Sequence, residues 1–430
     1  MIEKYFHLHA NNTNIRTEII AGATTFLTMA YILVVNPSIL GKSGMDVNAV
    51  FTATAVSSII ATLIMAFYAK SPIAMAPGMG LNVFFAFTVV LAMGYSWQFA
   101  LTAVFLEGIL FILLTLFNVR ELIVDAIPLS LKHAIAVGIG LFIAFIGLQG
   151  AGIIVHDKDT LVTLGNLGSP SALICFFGLL VSGVLLALRV KGALLIGIFS
   201  STVLALFMGV ASLPHTALIQ MPPSMAPTFL KFEWTHVFTT GMALVLFTFL
   251  FVDLFDTIGT LVGVASQAKM LDEKGRFPYV NRALLADAVG TTVGAMLGTS
   301  AISAYVESAA GVAEGGRTGL TTLVVAVLFI LSLFLAPLFL MVPASATAPV
   351  LILVGTFMME PVKNIHFADY TESIPAFLTM VMMPFTYSIA EGIAFGMISY
   401  VVLKALSGKH KEISLVMYIL AALFLLKFFV

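Results

Sequence analysis

Long apolar runs separated by short polar segments dominate this chain. A membrane-spanning helix needs about 20 mostly apolar residues. Stretches of about that length lie at 17–36, 48–68, 71–94, 97–119, 130–155, 171–189, 192–212, 236–263, 282–298, 299–315, 319–341, 346–362, 372–386 and 388–407. A last apolar stretch, 412–430, either lies along the membrane surface or makes a further span. The pattern predicts an all-α polytopic membrane protein with fourteen transmembrane segments.

The composition and the low content of charged residues indicate that the chain lies in a lipid bilayer. Of its 430 residues, 60% are hydrophobic and 10% are charged, whereas a soluble domain has about 25% charged residues. The net charge of −1 argues against a nucleic-acid partner. The single cysteine, Cys175, lies in an apolar segment and is interpreted as a small core hydrophobe.

The positions of Lys and Arg predict the orientation. If the N-terminus is cytoplasmic and the spans alternate, the other side holds only Lys42, Lys158 and Lys231, and Lys427 stays unassigned. The remaining Lys and Arg residues are then cytoplasmic, as the positive-inside rule requires.

Fourteen spans divide into two sets of seven, and an odd-numbered unit that is duplicated inserts upside down relative to its twin. The third span of each half, at 71–83 and 298–311, opens with small residues, Pro, Gly or β-branched residues. Interrupted segments at matching positions are a pointer to a transport site, because extended backbone is tolerated at membrane depth only beside a cavity or inside protein. The alternative is a pair of kinked helices with small-residue packing.

Three acids lie in two apolar segments that contain no Lys or Arg. Asp253 and Asp256 are three residues apart and share one helical face, which Thr257 extends. Glu307 lies among small residues that leave room for a flat ligand. Because a charge inside a bilayer costs several kcal/mol, such acids are functional candidates. They suit a site that handles protons, cations or N–H donors.

Structural interpretations compete with each assignment. Asp256 could be a solvated helix-end acid, and Glu307 could make a structural hydrogen bond to a neighbouring helix. Asn82, which follows a Gly-rich stretch, could be a local cap. Tyr305 is a functional candidate, because it could stack on the ring of a ligand. A metal site is not expected, because His and Cys residues are not clustered.

The long motifs at 76–82, 251–261 and 304–320, together with the opening at 17–37, resemble the AzgA-type purine permeases. These form a branch of the nucleobase–cation symporter-2 (nucleobase–ascorbate transporter) superfamily, and the similarity runs along essentially the whole chain.

The resemblance implies the seven-plus-seven inverted-repeat fold of uracil permease. A core domain at 17–119 and 236–341 would hold the substrate. A gate domain at 120–212 and 346–407 would move against it and form the contact of a homodimer. The placement of 412–430 stays open.

The resemblance also implies residue roles. Asp253 and Glu307 would hydrogen-bond the base, Asp256 would support the site or proton coupling, and Asn82 would contribute from the third span. Tyr305 and Thr257 are further candidates for substrate contact. We expect the main chain to line the site at four small residues, Gly78, Gly80, Ala304 and Ser308. The family usually has Thr-rich residues before the Tyr-x-Glu sequence, whereas this chain has 300–304 as Ser-Ala-Ile-Ser-Ala, which leaves side-chain contacts there open.

The expected function is a proton-coupled importer of purine nucleobases, guanine and hypoxanthine first, in a bacterial inner membrane. The coupling ion would be a proton, no cofactor is expected, and transport would follow an elevator-like movement of core against gate. Adenine and xanthine are alternative substrates. An anion site would favour Arg, Lys or bare helix N-termini over acids. An intramembrane aspartyl protease needs two aspartates that share a proton, normally on separate helices, whereas Asp253 and Asp256 share one.

Overall fold

A computed structural model describes residues 2–117, 127–214, 217–267, 270, 277 and 279–427. The helices are α1 (Ile2–Tyr5), α2 (Ile15–Met29), α3 (Ile32–Gly41), α4 (Val47–Ile64), α5 (Met79–Val83), α6 (Trp97–Leu116), α7 (Leu129–Gly150), α8 (Pro170–Ala187), α9 (Ala193–Phe207), α10 (Thr240–Gln267), α11 (Val280–Leu297), α12 (Ser308–Ala313), α13 (Gly319–Leu333), α14 (Ala336–Leu340), α15 (Ala344–Phe357), α16 (Tyr370–Thr386), α17 (Ile389–Leu406) and α18 (Leu415–Lys427). The π-helical turns Met65–Ala69 and Phe84–Ala92 continue α4 and α5, and short 3₁₀ turns lie at His9–Asn11, Glu360–Asn364 and His410–Glu412. The strands are β1 (Met75–Pro77), β2 (Ile154–Asp157), β3 (Leu161–Leu164) and β4 (Ile302–Ala304).

The apolar segments form helices, as the sequence predicts. Within the described residues, 8 helical segments are long and apolar enough to cross a membrane, and four shorter apolar helices accompany them. Side chains at the polar segments cap helix starts: Asn14 accepts a hydrogen bond from the Thr17 N–H, and Ser96 accepts one from the Phe99 N–H. The all-α membrane fold is confirmed, and the count of fourteen spans stays a prediction.

Several predicted boundaries differ from the structure, and two examples show why. The segment predicted as a span at 130–155 is helical only to Gly150, because the chain then turns into the hairpin of β2 and β3. The segment predicted at 236–263 forms a helix four residues further along, at Thr240–Gln267. In both cases the hydrophobic pattern located the element, and the turn chemistry set its ends.

The third span of each half is broken by a strand. β1 and β4 pair antiparallel, with Met75 opposite Ala304 and Pro77 opposite Ile302. Each strand is followed directly by a short helix, α5 after β1 and α12 after β4. Kinked but continuous helices are therefore excluded, and the predicted extended segments are confirmed. Their matching positions in an inverted repeat stay a prediction.

The helices pack in two groups. In the first group α2 contacts α12 and α13, α4 contacts α11 and α13, and α6 contacts α10 and α11. In the second group α7 contacts α15, α16 and α17, while α8 and α9 contact each other and α15. The helix α18 from the ambiguous terminal stretch packs on α17, and its Phe424 ring lies 5.2 Å from that of Phe247 on α10.

Candidate functional site

The antiparallel pairing of β1 and β4, called the strand crossing below, brings most of the predicted site residues into one region. The ladder extends by one hydrogen bond at each end, from the Gly78 N–H to the Ala301 carbonyl (3.0 Å) and from the Tyr305 N–H to the Ala74 carbonyl (3.0 Å). The N–H groups of Met75 and Ile302 bind the hydroxyls of Thr62 and Thr291 instead, so these groups also find partners inside the protein, which a segment inside a membrane protein requires. Side chains at the strand ends are left to face the surrounding helices.

Glu307 follows β4 and is partly exposed. Its Oε1 accepts a hydrogen bond of 2.5 Å from the hydroxyl of Tyr31, a buried residue between α2 and α3. The Thr28 hydroxyl lies 3.4 Å from the Glu307 carbonyl oxygen. One carboxylate oxygen is therefore oriented by Tyr31, and the second oxygen keeps acceptor capacity for another donor.

Asp256 on α10 is also partly exposed and contacts the Ser303 hydroxyl of β4. A Cβ atom built on Gly78 would lie 2.7 Å from Ser303 Oγ and 3.4 Å from Asp256 Oδ2, so only glycine permits this approach. Asp256 and Glu307 are near enough to interact electrostatically. The solvated helix-end interpretation does not fit Asp256, because its carboxylate contacts Ser303 of β4.

Asp253, one turn earlier on α10, has a different environment. Its side chain is fully buried, and the Thr257 hydroxyl lies 3.2 Å from its Oδ1. The same hydroxyl lies 2.9 Å from Oδ1 of Asp287 on α11, which is also fully buried. Thr257 thus lies between two acids of neighbouring helices, and its single hydroxyl proton can be donated to only one of the two carboxylates at a time.

Asn82, on α5, is fully buried. Its Oδ1 accepts a hydrogen bond from the Ser300 hydroxyl just before β4. Its Nδ2 has no hydrogen-bond partner among the described residues. A local cap would leave the amide bonded to its own turn, so the contact with Ser300 places Asn82 in the strand crossing instead.

Three other predicted residues serve the crossing itself, and a fourth, Gly80, does not. The Tyr305 hydroxyl donates to the Pro77 carbonyl (2.7 Å), and Ser308 Oγ accepts from the Ala74 N–H (3.0 Å). Ala304 pairs with Met75 in the strand register. Gly80 faces elsewhere: a Cβ atom there would lie 2.8 Å from Ile139 on α7, in the second helix group.

Sequence reasoning missed the hydroxyl partners and the second buried acid. Tyr31 lies in an apolar run without a local polar pattern, and Asp287 lies on a different helix from Asp253. Ser300 and Ser303 belong to the stretch where the sequence departs from the family pattern, so their contacts required the register of β4. In each case the signal is a contact between segments distant in the sequence.

Known proteins similar to this chain agree with the architecture. The family model Xan_ur_permease, described as "Permease family", matches residues 16–395. The guanine/hypoxanthine permease PbuO of Bacillus subtilis (strain 168) is 48% identical, over 99% of this chain and 100% of the relative. The adenine permease AdeP of Escherichia coli (strain K12) is 45% identical, over 99% of this chain and 96% of the relative.

A solved structure gives the same fold at low sequence identity. The transmembrane domain of a cyanobacterium bicarbonate transporter, BicA, superimposes with a TM-score of 0.67 at 15% identity, covering 89% of this chain and 97% of that one. The family match and the two full-length relatives show what the motifs implied: the chain is a multi-pass membrane permease, not an enzyme, and belongs to the nucleobase–cation symporter-2 superfamily.

Proposed function

We propose that this permease is a proton-coupled importer of purine nucleobases, with guanine and hypoxanthine as its first substrates. The observation that carries the proposal is the pair of partly exposed carboxylates, Asp256 and Glu307, on either side of the β1–β4 crossing. PbuO is named a guanine/hypoxanthine permease and AdeP an adenine permease, which supports purine nucleobases as the substrate class. Adenine and xanthine therefore remain the alternative substrates.

The two carboxylates suit a flat ring rich in N–H groups. Guanine has adjacent N–H donors, and a charged acceptor makes stronger hydrogen bonds to them than a neutral one. In our proposal Glu307 and Asp256 bind the ring and Asn82 orients it. Asp253 has the supporting role that the resemblance implied for Asp256, because Asp253 is fully buried with Thr257 and Asp287.

Proton coupling follows from the cost of carrying these acids through a bilayer. A moving group that holds carboxylates in an apolar environment is favoured when a proton neutralises one of them. A proton that binds together with the nucleobase would then couple the two movements. Asp253 and Asp287, which share Thr257, are the acids we propose as support for this step.

Movement would carry the first helix group, the core, past the second group, the gate. The separate packing of the two groups supports this division. Contacts between them include an ion pair of 2.8 Å from Lys191, between α8 and α9, to Glu314 after α12. The Thr88 hydroxyl also donates to the Tyr387 carbonyl (3.1 Å). We propose that these contacts exchange during transport, in a homodimer joined by the gate in a bacterial inner membrane with a cytoplasmic N-terminus.

Uptake of labelled nucleobases into cells that lack purine transport tests the substrate. We expect saturable uptake of guanine and hypoxanthine that is inhibited by a protonophore, with adenine, xanthine and uracil as competitors. A Glu307→Ala variant that reaches the membrane at normal levels should lose uptake. Uptake like that of the unmodified protein in this variant would refute the site.

Reconstituted vesicles test the coupling and the alternative chemistry together. Addition of the transported base should alkalinise the outside of vesicles without cleavage of any added membrane peptide. Base uptake without proton movement would refute proton coupling and leave the permease assignment intact.

A further inference from the structure

Each proposed ligand side chain has a hydroxyl partner from another segment. Glu307 accepts from Tyr31, Asp256 contacts Ser303, and Asn82 accepts from Ser300. The first two partners bind carboxylates, which are acceptors whichever way they are turned. Asn82 differs, because an amide has an acceptor end and a donor end, and its orientation decides which end a ligand meets.

The strand register places Ser300 against Asn82. The Gly78 N–H binds the Ala301 carbonyl, and the Asn82 N–H binds the Gly78 carbonyl one helical turn later. Ser300 immediately precedes Ala301, so it lies beside the first turn of α5. The hydroxyl of Ser300 reaches Asn82 because β1 and β4 cross in this register, and a shift by one residue would turn the side chain away.

The contact engages the acceptor end of the amide. Ser300 donates to Oδ1, whereas Nδ2 of the fully buried Asn82 has no partner among the described residues. A buried N–H₂ without an acceptor is costly, so such a group indicates a ligand or a water molecule that is bound there. The donor end of Asn82 is thus the end that remains for the substrate.

We propose that Ser300 is a specificity-determining positioning residue, which holds Asn82 as a hydrogen-bond donor toward one acceptor of the nucleobase, a ring nitrogen or an exocyclic carbonyl oxygen. The inference rests on the proposed nucleobase site. The site then reads a fixed pattern: Glu307 and Asp256 accept from N–H groups of the ring, and Asn82 donates to an acceptor. Without the Ser300 hydroxyl the amide turns over at little cost and the pattern loses its donor.

The test compares how much the loss of a ligand acceptor weakens binding in the unmodified protein and in the Ser300→Ala variant. Inhibition of hypoxanthine uptake is measured with analogues in which C–H replaces ring nitrogen 3 or ring nitrogen 7, and with purine, which lacks the exocyclic oxygen and, with it, the N–H at ring nitrogen 1. In the unmodified protein we expect removal of one of these acceptors to weaken inhibition by at least about tenfold. In Ser300→Ala that same penalty should shrink to about threefold or less, while the penalties of the other analogues stay unchanged.

Two further variants keep the result interpretable. Ser332→Ala is the matched control, because Ser332 is a buried serine of α13 whose hydroxyl binds the Leu328 carbonyl of its own helix (2.9 Å). It should retain every penalty. Asn82→Asp replaces the donor end by an acceptor and should lose the same penalty as Ser300→Ala.

The outcomes separate this inference from the proposed function. If the unmodified protein takes up no purine, the proposed function itself fails. If it discriminates between the analogues and both Ser300→Ala and Asn82→Asp keep all penalties, then Nδ2 of Asn82 binds only water and the inference is overturned. Membrane expression and melting temperature of each variant, measured in detergent, exclude unfolding as the cause of a lost penalty.

Discussion

Two acids of the first helix group, Glu18 and Glu307, have opposite surroundings. Glu18 on α2 is fully buried and accepts hydrogen bonds from the Thr321 hydroxyl (2.6 Å), the Thr318 hydroxyl (2.9 Å), the Arg317 N–H (3.0 Å) and the Thr321 N–H (3.1 Å). These donors surround the first turn of α13. The carboxylate therefore compensates the positive end of a helix and satisfies its free N–H groups.

Glu307 is partly exposed and is held by Tyr31 at one oxygen. It faces the strand crossing, where Asp256 comes from a third segment. The difference teaches that an acid inside a membrane protein is not by itself a transport site. What separates the two is whether the protein already saturates the carboxylate, as for Glu18, or leaves acceptor capacity and access, as for Glu307.

The strongest test of this contrast is Glu307→Gln. The substitution keeps the shape and removes the charge, so we expect uptake to fall by about 100-fold, because the charge-assisted hydrogen bonds to the base are lost. The melting temperature in detergent should stay within a few degrees of that of the unmodified protein. A large loss of stability with normal uptake per folded molecule would place Glu307 in the same class as Glu18.

Glu18→Ala should have the reverse effect. Removal of the carboxylate leaves two hydroxyls and two N–H groups of the α13 start without their acceptor, a cost of roughly 2–5 kcal/mol. We expect lower membrane expression and a lower melting temperature, with near-normal KM in the molecules that fold. Glu18→Gln, which retains one acceptor oxygen, is the graded control and should fall between. A changed KM with unchanged stability would mean that Glu18 takes part in binding.

Tyr31→Phe sharpens the description of Glu307. Loss of one hydroxyl frees the carboxylate to adopt other orientations, so KM for the base should rise by about tenfold while stability changes little. Tyr305→Phe is the matched comparison, because that hydroxyl binds the Pro77 carbonyl of β1 and should affect stability more than KM. Equal effects of the two variants on KM would show that Tyr31 has no special relation to Glu307.

The sequence could predict the broken spans but not this contrast. Pro, Gly and small residues at 71–83 and 298–311 mark where helices cannot continue, and the acids at 253, 256 and 307 are visible as interruptions of apolar runs. Glu18 at the start of the first span looks like an ordinary interfacial acid. Its partners Thr318 and Thr321 lie about 300 positions away, so its saturation depends on tertiary contacts that no local pattern encodes.

The order of Asp253 and Asp256 shows the same limit. Both lie on one helical face, and the resemblance favoured Asp253 as the ligand. The structure places Asp256 against Ser303 and Gly78, and it buries Asp253 with Thr257. The rotation of α10 against β4 sets which acid faces the strands, and a spacing of three residues does not define it. Which of the two binds the base stays a prediction.

Asp369 is an acid outside the membrane-spanning segments whose carboxylate is also bound by protein donors. We expect its removal to have the smallest effect on the melting temperature. Asp369 caps α16. Its carboxylate accepts hydrogen bonds from Lys409 Nζ (2.6 Å), from the Thr371 N–H (2.9 Å) and from the Thr371 hydroxyl (2.8 Å). The hydrogen bond from Lys409, followed by those from Thr371, holds the pKa of Asp369 well below its usual range. A carboxyl group whose pKa is lowered on folding stabilises the folded state above its unfolded pKa of about 3.9, and this contribution is lost as the pH falls through the folded pKa.

We therefore expect the melting temperature of the unmodified protein in detergent to decrease as the pH falls below about 4. Asp369→Asn should remove that part of the decrease and have a slightly lower melting temperature at neutral pH. Because water competes for both Asp369 and Lys409, the difference at neutral pH should be far smaller than the loss for Glu18→Ala. A loss as large as that of Glu18→Ala would mean that donor saturation, rather than burial, controls the cost of removing an acid from this fold.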